Sequence, residues 1–197
     1  MRKTITPSLG REFVSSAHVF AAAVRDVFES AVLEDVAGNE LTFSQLKLLY
    51  LATRAGGQTI GDVAAFLRVS YAAASKTVDK LVRRGLLRRA KTPEDRRASR
   101  LSATDAGRRL VAAYEAARHK MATRFFGQFS AKELRETSKL LDRLAAAIVS
   151  YGGKPGEICL RCEVYYRADC PFGALSRRLC VYKLGRPGIL KPGAKEL

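Results

Sequence analysis

The sequence predicts a mainly α-helical fold with one small β-wing, followed by a separate cysteine-rich module. Three observations predict it. Apolar residues recur at helical spacing through six stretches between Leu9 and Ser150, most of them opened by a capping residue. The helical period fails only over residues 86–103. All four cysteines lie in the last 41 residues, where no long amphipathic pattern survives.

The first stretch places Leu9, Phe13, Ala17, Phe20, Val24, Val27, Phe28 and Val32 on one helical face, ending at Gly38 and Asn39. Thr42 and Gln45 have capping-box spacing and open a second helix through Arg54, which Gly56 and Gly57 break. Thr59 with Asp62 starts a short third helix through Arg68. Ser70 caps a fourth, which turns Ala74, Val78 and Leu81 inward and stops at Gly85. Residues 86–103 read as two short strands around a polar turn at Thr92–Asp95 that contains Pro93. Thr104 caps a fifth helix to about Gly127. Ser130 with Glu133 opens a sixth to about Ser150, and residues 152–156 (GGKPG) read as a linker.

Composition narrows the function classes. Apolar residues make up 47% of the chain, enough for a packed core rather than a disordered basic tail. The net charge is +16, so a polyanion is the expected partner. Between Ser70 and Arg109 there are 12 basic and 4 acidic residues, half of the whole excess in 40 residues. That is a localised footprint, although a merely solvated surface is the plainer alternative. The start carries no apolar core after its charges and no run approaches a membrane span, so a cytoplasmic protein without membrane contact is expected. No acid–base or nucleophile constellation supports an enzyme.

A short helix, a turn, a second helix and then a basic hairpin form a winged helix–turn–helix pattern. Its second helix must show one face to the domain and another to the major groove. With Ala74, Val78 and Leu81 inward, Ala72, Lys76, Asp79, Lys80 and Arg83 point outward. Ser70, Tyr71, Ala73 and Ser75 lie near the end that meets base edges. The plain alternative for Lys76, Lys80 and Arg83 is a solvated helix face.

From Leu41 to Leu110 the sequence resembles the MarR family of winged-helix regulators. The resemblance rests on Asp95, Arg96 and Arg97 in the wing, Thr104 with Gly107 beyond it, and the run RRGLL from Arg83 to Leu87. It extends over about residues 9–150, with Ala103 standing where the family usually has Leu. It implies a transcription regulator, a repressor first, that binds double-stranded DNA as a homodimer interlocked through its first and last helices. It also implies that Arg97 enters the minor groove, held by Asp95, with Arg96 near phosphate. A narrow, electronegative groove suits such arginines, while Asp95 can also be read as a simple turn residue.

The tail lies outside the resemblance. Cys159 and Cys162 form a CxxC, and Cys170 and Cys180 follow at gaps of seven and nine residues. Four thiolates can hold one metal centre. The irregular spacing and the Cys170–Pro171 pair favour an iron–sulfur cluster, [4Fe–4S] in type. A structural Zn²⁺ site and a metal-free thiol switch are the alternatives. His18 and His119 read as structural or surface residues. The expected organisation is a winged helix–turn–helix domain flanked by dimerisation helices (1–150), a linker (151–156) and a four-cysteine metal-binding module (157–197). The tail would modulate DNA affinity by sensing redox state, oxygen or iron. The alternative is a regulator that answers a small-molecule effector and carries a structural zinc site. An electron-transfer iron–sulfur protein is the remote alternative.

Overall fold

The computed structural model describes residues 6–54, 57–91, 99–152 and 170. The amino-terminal part is a long helical rod. The Thr6 hydroxyl accepts the Leu9 N–H at 3.4 Å, and Pro7 begins α1 (Pro7–Ala22). The rod passes through a π-helical segment, Ala23–Glu29, into α2 (Ser30–Ala37), and Gly38 ends it at a φ of +54°. The uninterrupted helix expected from apolar spacing is therefore broken by a wider turn, which rotates α1 relative to α2. The apolar face is present, yet within one protomer little covers it. No residue of α1 is buried, and Leu9, Phe13, Phe20 and Val27 are exposed, whereas Phe28 and Val32 reach the core.

Thr42 and Gln45 form the expected capping box. The Thr42 N–H donates to Gln45 Oε1 at 3.1 Å and the Gln45 N–H to Thr42 Oγ1 at 3.3 Å. The helix they open, α3 (Phe43–Arg54), buries Leu46, Leu48, Leu49, Tyr50, Leu51 and Ala52. A helix apolar on most of its circumference belongs inside a domain. It packs against α6, β2 and α4. A second capping box, Thr59 with Asp62, starts α4 (Ile60–Leu67). Arg68 then adopts left-handed geometry at φ 56° and turns the chain towards α5 (Tyr71–Arg83).

Strands β1 (Leu87–Lys91) and β2 (Ser99–Ala103) pair antiparallel, with Leu87 opposite Ala103. Gln58 adds a single bridge to Leu101 on the free side of β2. Ala103 is part of the core despite its size. Helix α6 (Asp105–Phe126) then crosses the domain, and α7 (Ala131–Gly152) follows. Ser130 and Glu133 cap α7 reciprocally at 2.8 and 3.2 Å, and the hydrogen bond from the Ser130 hydroxyl holds the Glu133 carboxyl below its usual range. Helix α7 extends to Gly152, so its last turn occupies the first two residues expected to be linker. Apart from Val149 it buries nothing, and Leu140, Leu141 and Ile148 are exposed.

Tyr50 of α3 and Tyr114 of α6 meet edge to face, 6.1 Å between ring centres. Burial pushes the Tyr114 phenol up to about 12 and raises that of Tyr50 as well, so both rings stay neutral at the centre of the core.

The joint between α5, β1 and α6 is tight. The Thr104 N–H donates to the Leu86 carbonyl at 3.1 Å, and the Thr104 hydroxyl donates to the Gly85 carbonyl at 2.6 Å. The same hydroxyl accepts the Gly107 N–H at 3.1 Å, which caps α6. A Cβ at position 107 would stand 2.2 Å from the Leu86 carbonyl oxygen, so only glycine lets α6 lie this close. Gly107→Ala is expected to destabilise the fold by about 3 kcal/mol, at the upper end of overpacking costs. Gly61→Ala, where the new Cβ meets only Thr59 Oγ1 at 3.6 Å, should stay within about 1 kcal/mol of the parent. Thermal unfolding of the two variants side by side checks this; equal midpoints would contradict the packing argument.

Candidate nucleic-acid interface

Helix α5 is asymmetric in the way its sequence predicts. Ala74, Val78 and Leu81 are fully buried, which fixes the rotation of the helix about its axis. Ala72, Lys76, Lys80 and Arg83 are consequently exposed, and Tyr71 projects from the first turn. Ser70 is exposed and caps the helix, its hydroxyl accepting the Ala73 N–H at 3.2 Å. Ala73 and Ser75 are half-buried at the edge of the exposed face. Lys76, Lys80 and Arg83 form no ion pair among the described residues, so their charges face solvent uncompensated.

Asp79 departs from the expected outward set. It is half-buried, and Arg89 of β1 donates to its Oδ1 at 2.8 Å. Its helical position also brings it within reach of the hairpin, and the carboxylate is neutralised there. The pair is about two-fifths exposed, so its energetic worth is at most about 1 kcal/mol, but it removes a negative charge from a cationic face. Sequence spacing on one helix could not find this partner, because it arrives from the following strand.

Two further arginines escaped the sequence reading. Arg88 is exposed on β1 and donates through Nε to Ser102 Oγ at 2.9 Å. Arg84, just past α5, donates to both the carbonyl and the carboxylate of Glu40, the latter at 2.7 Å. Glu40 lies in the turn before α3, so this arginine ties the end of α5 to the start of α3. The wing residues Asp95, Arg96 and Arg97 lie outside the described residues; the ladder beneath them is described as far as the Lys91–Ser99 pair.

Of the cysteines, Cys170 is a half-buried free thiol, and Cys159, Cys162 and Cys180 lie outside the described residues. Among the described residues no three potential metal ligands cluster. His18 and His119 are exposed on α1 and α6. No described helix is long and apolar enough to cross a membrane.

Residues 39–98 match the MarR family. They begin in the turn before α3 and end at the start of β2, and so contain α3, α4, α5 and β1. No curated protein matches the sequence. Several solved structures share the fold. A MarR family protein from Bacillus stearothermophilus aligns with a TM-score of 0.63 at 17% identity, over 74% of this chain and 99% of that one. YusO from Bacillus subtilis aligns at 0.59 and 23% identity, over 70% and 97% respectively. FabT from Streptococcus pneumoniae, solved in complex with DNA, aligns at 0.55 and 18% identity, over 72% and 96%. These likenesses establish a common fold, and the similarity to the MarR family covers residues 39–98 of the chain.

Proposed function

We propose that the chain is a sequence-specific transcription regulator, acting first as a repressor, that binds double-stranded DNA as a homodimer. The observation that carries the reading is α5. Its apolar side is locked into the core while Lys76, Lys80 and Arg83 stand unpaired on the opposite side, next to a basic hairpin. Such a helix fits the major groove with its amino-terminal residues Ser70, Tyr71, Ala72, Ala73 and Ser75 towards the bases. Arg97, Arg96 and Asp95 would extend the contact to the adjacent minor groove and its phosphates. The fold shared with FabT, which was captured on DNA, supports the same use of these elements. The exposed apolar faces of α1 and α7 support a homodimer, because a monomer would leave Phe13, Phe20, Leu140 and Ile148 in water.

Cys159, Cys162, Cys170 and Cys180 are proposed to hold one metal centre that modulates DNA affinity, an iron–sulfur cluster in preference to Zn²⁺. The support is the sequence: four cysteines within 22 residues and none elsewhere. A cluster would make the tail responsive to oxidation, whereas zinc would brace it.

DNA binding should weaken steeply with added salt, since each phosphate contact releases a counterion. Arg97→Ala should lower affinity about tenfold or more with no change in thermal unfolding, the usual cost of one lost groove contact. Lys80→Ala should weaken every duplex alike and reduce the salt slope by about one, while Ser75→Ala and Lys76→Ala should alter sequence preference. Fluorescence anisotropy on selected and random duplexes measures all four. Equal losses on both duplexes for the Lys80, Ser75 and Lys76 variants would remove base reading from α5. Each single Cys→Ser substitution should abolish metal loading, read as iron, sulfide and zinc content of protein purified without oxygen. Metal retained in any one variant would exclude that cysteine from the ligand set.

A further inference from the structure

Between Phe28 and Arg124 the described residues keep their large apolar side chains buried or half-buried, with two exceptions. Val69 is 41% exposed and Tyr71 63%. The other exposed ones lie on α1, on its π-helical continuation and between Phe125 and Tyr151, the surfaces assigned above to the dimer. Val69 and Tyr71 flank the cap of α5, and their main chain is held from both sides. The Arg68 and Val69 N–H groups donate to the Ala65 and Ala64 carbonyls of α4 at 3.3 and 3.1 Å. Ser70 accepts the Ala74 N–H at its carbonyl, at 2.9 Å, and the Ala73 N–H at its hydroxyl, at 3.2 Å. Val69 holds the position from which a hydrophobic residue closes over the fourth residue of the helix. That residue is Ala74, wholly buried and too short to cover a valine, so Val69 stays in water. The turn is already ordered, so covering the two side chains costs little entropy.

Little that is polar on this turn competes for the bases. From Val69 to Ser75 the sequence holds no Arg, Lys, Asn, Gln, Asp or Glu. The Ser70 hydroxyl is used by the cap, and the Thr77 hydroxyl, further along, donates to the Ala73 carbonyl at 2.9 Å. Paired hydrogen bonds, such as Arg makes with guanine or Asn with adenine, are therefore out of reach here. What remains is Val69, the Tyr71 ring and the methyl groups of exposed Ala72 and half-buried Ala73. Unpaired Lys76, Lys80 and Arg83 follow along the same helix. The thymine methyl is the apolar group that a base pair presents in the major groove.

We infer that Val69 and Tyr71 are specificity residues that close over thymine methyl groups, so that each half-site is chosen by its pattern of methyls. The inference rests on the DNA-binding reading above, adds Val69 to the interface and names the base that the start of α5 selects. Charge complementarity argues for DNA as the cover of this patch. Three unpaired cations on α5 repel a second copy of the same face and attract a polyanion. Phosphate contacts from those cations position the helix, while the apolar pair meets the base edges.

The probe is a duplex that the full-length protein itself selects from a random library, and its half-sites should carry thymine. Replacing those thymines by deoxyuridine removes the methyl group and keeps every phosphate and every hydrogen-bonding group of the base. Wild-type affinity should fall about fourfold for each contacted methyl, the worth of one buried methyl group, and about fifteenfold when both half-sites change. Val69→Ser and Tyr71→Ser should each bind the thymine duplex more weakly and lose the response to uridine at the methyl they cover. Their thermal midpoints should stay close to that of wild type, since both side chains are exposed. Lys80→Ala should weaken binding to both duplexes and keep the uridine response. Equal binding of the two duplexes by wild type, with Lys80→Ala impaired on both, would overturn methyl recognition and leave the DNA reading standing. A uridine response that survives intact in both serine variants would also overturn it, assigning the methyl contact to other residues. Selected half-sites without thymine would do the same. Wild type that binds no duplex would overturn the DNA reading and this inference together.

Discussion

The half of the domain that carries α5 and the hairpin depends on the contact between Thr104, Gly107 and the Gly85–Leu86 backbone. One hydroxyl donates to the end of the α5 turn and accepts from the first turn of α6, while the missing Cβ of Gly107 lets two backbones touch. No side chain of ordinary size intervenes, so the geometry has few ways to relax. The Leu87–Ala103 rung of the hairpin sits directly beside this contact and inherits its position. Helix, hairpin and α6 are thereby fixed relative to one another before any long-range packing is counted.

Electrostatics divides the protein along the same line. On one side of α5 lies a core in which Tyr50 and Tyr114 stay neutral because burial disfavours their charged forms. On the other side Lys76, Lys80 and Arg83 are free, and two arginines are each employed to silence a carboxylate. Arg89 does this for Asp79 and Arg84 does it for Glu40. The net effect is that Lys76, Lys80 and Arg83 stand beside carboxylates already held by other arginines.

Much of this was legible from the sequence, for definite reasons. Capping boxes at Thr42, Thr59 and Ser130 depend on side chains three residues apart, so local spacing reveals them. The inward set Ala74, Val78 and Leu81 followed from a 3.6-residue period that burial then enforced. The failures are non-local or geometric. The π-helical segment at Ala23–Glu29 keeps an apolar face continuous in sequence while rotating it in space, and no residue type marks it. Asp79 was grouped with the outward cations because its partner, Arg89, lies on another element. The wing tip residues Asp95, Arg96 and Arg97, with Cys159, Cys162 and Cys180, keep the standing the sequence alone confers.

The rigid seat of α6 turns that helix into a lever. Its 22 residues make a rod about 33 Å long, with one end clamped at Gly107 and the other near Phe125 and Phe126. At the distant end those two rings pack against Phe28 at centroid distances of 6.0 and 6.1 Å. Tilted ring contacts of this kind tolerate sliding more readily than a backbone contact does. A displacement of about 2 Å there would tilt the rod by about 3–4° on that length. Because Gly107 lies against the Leu86 backbone, such a tilt would bear directly on the end of α5 and on the angle at which that helix is presented.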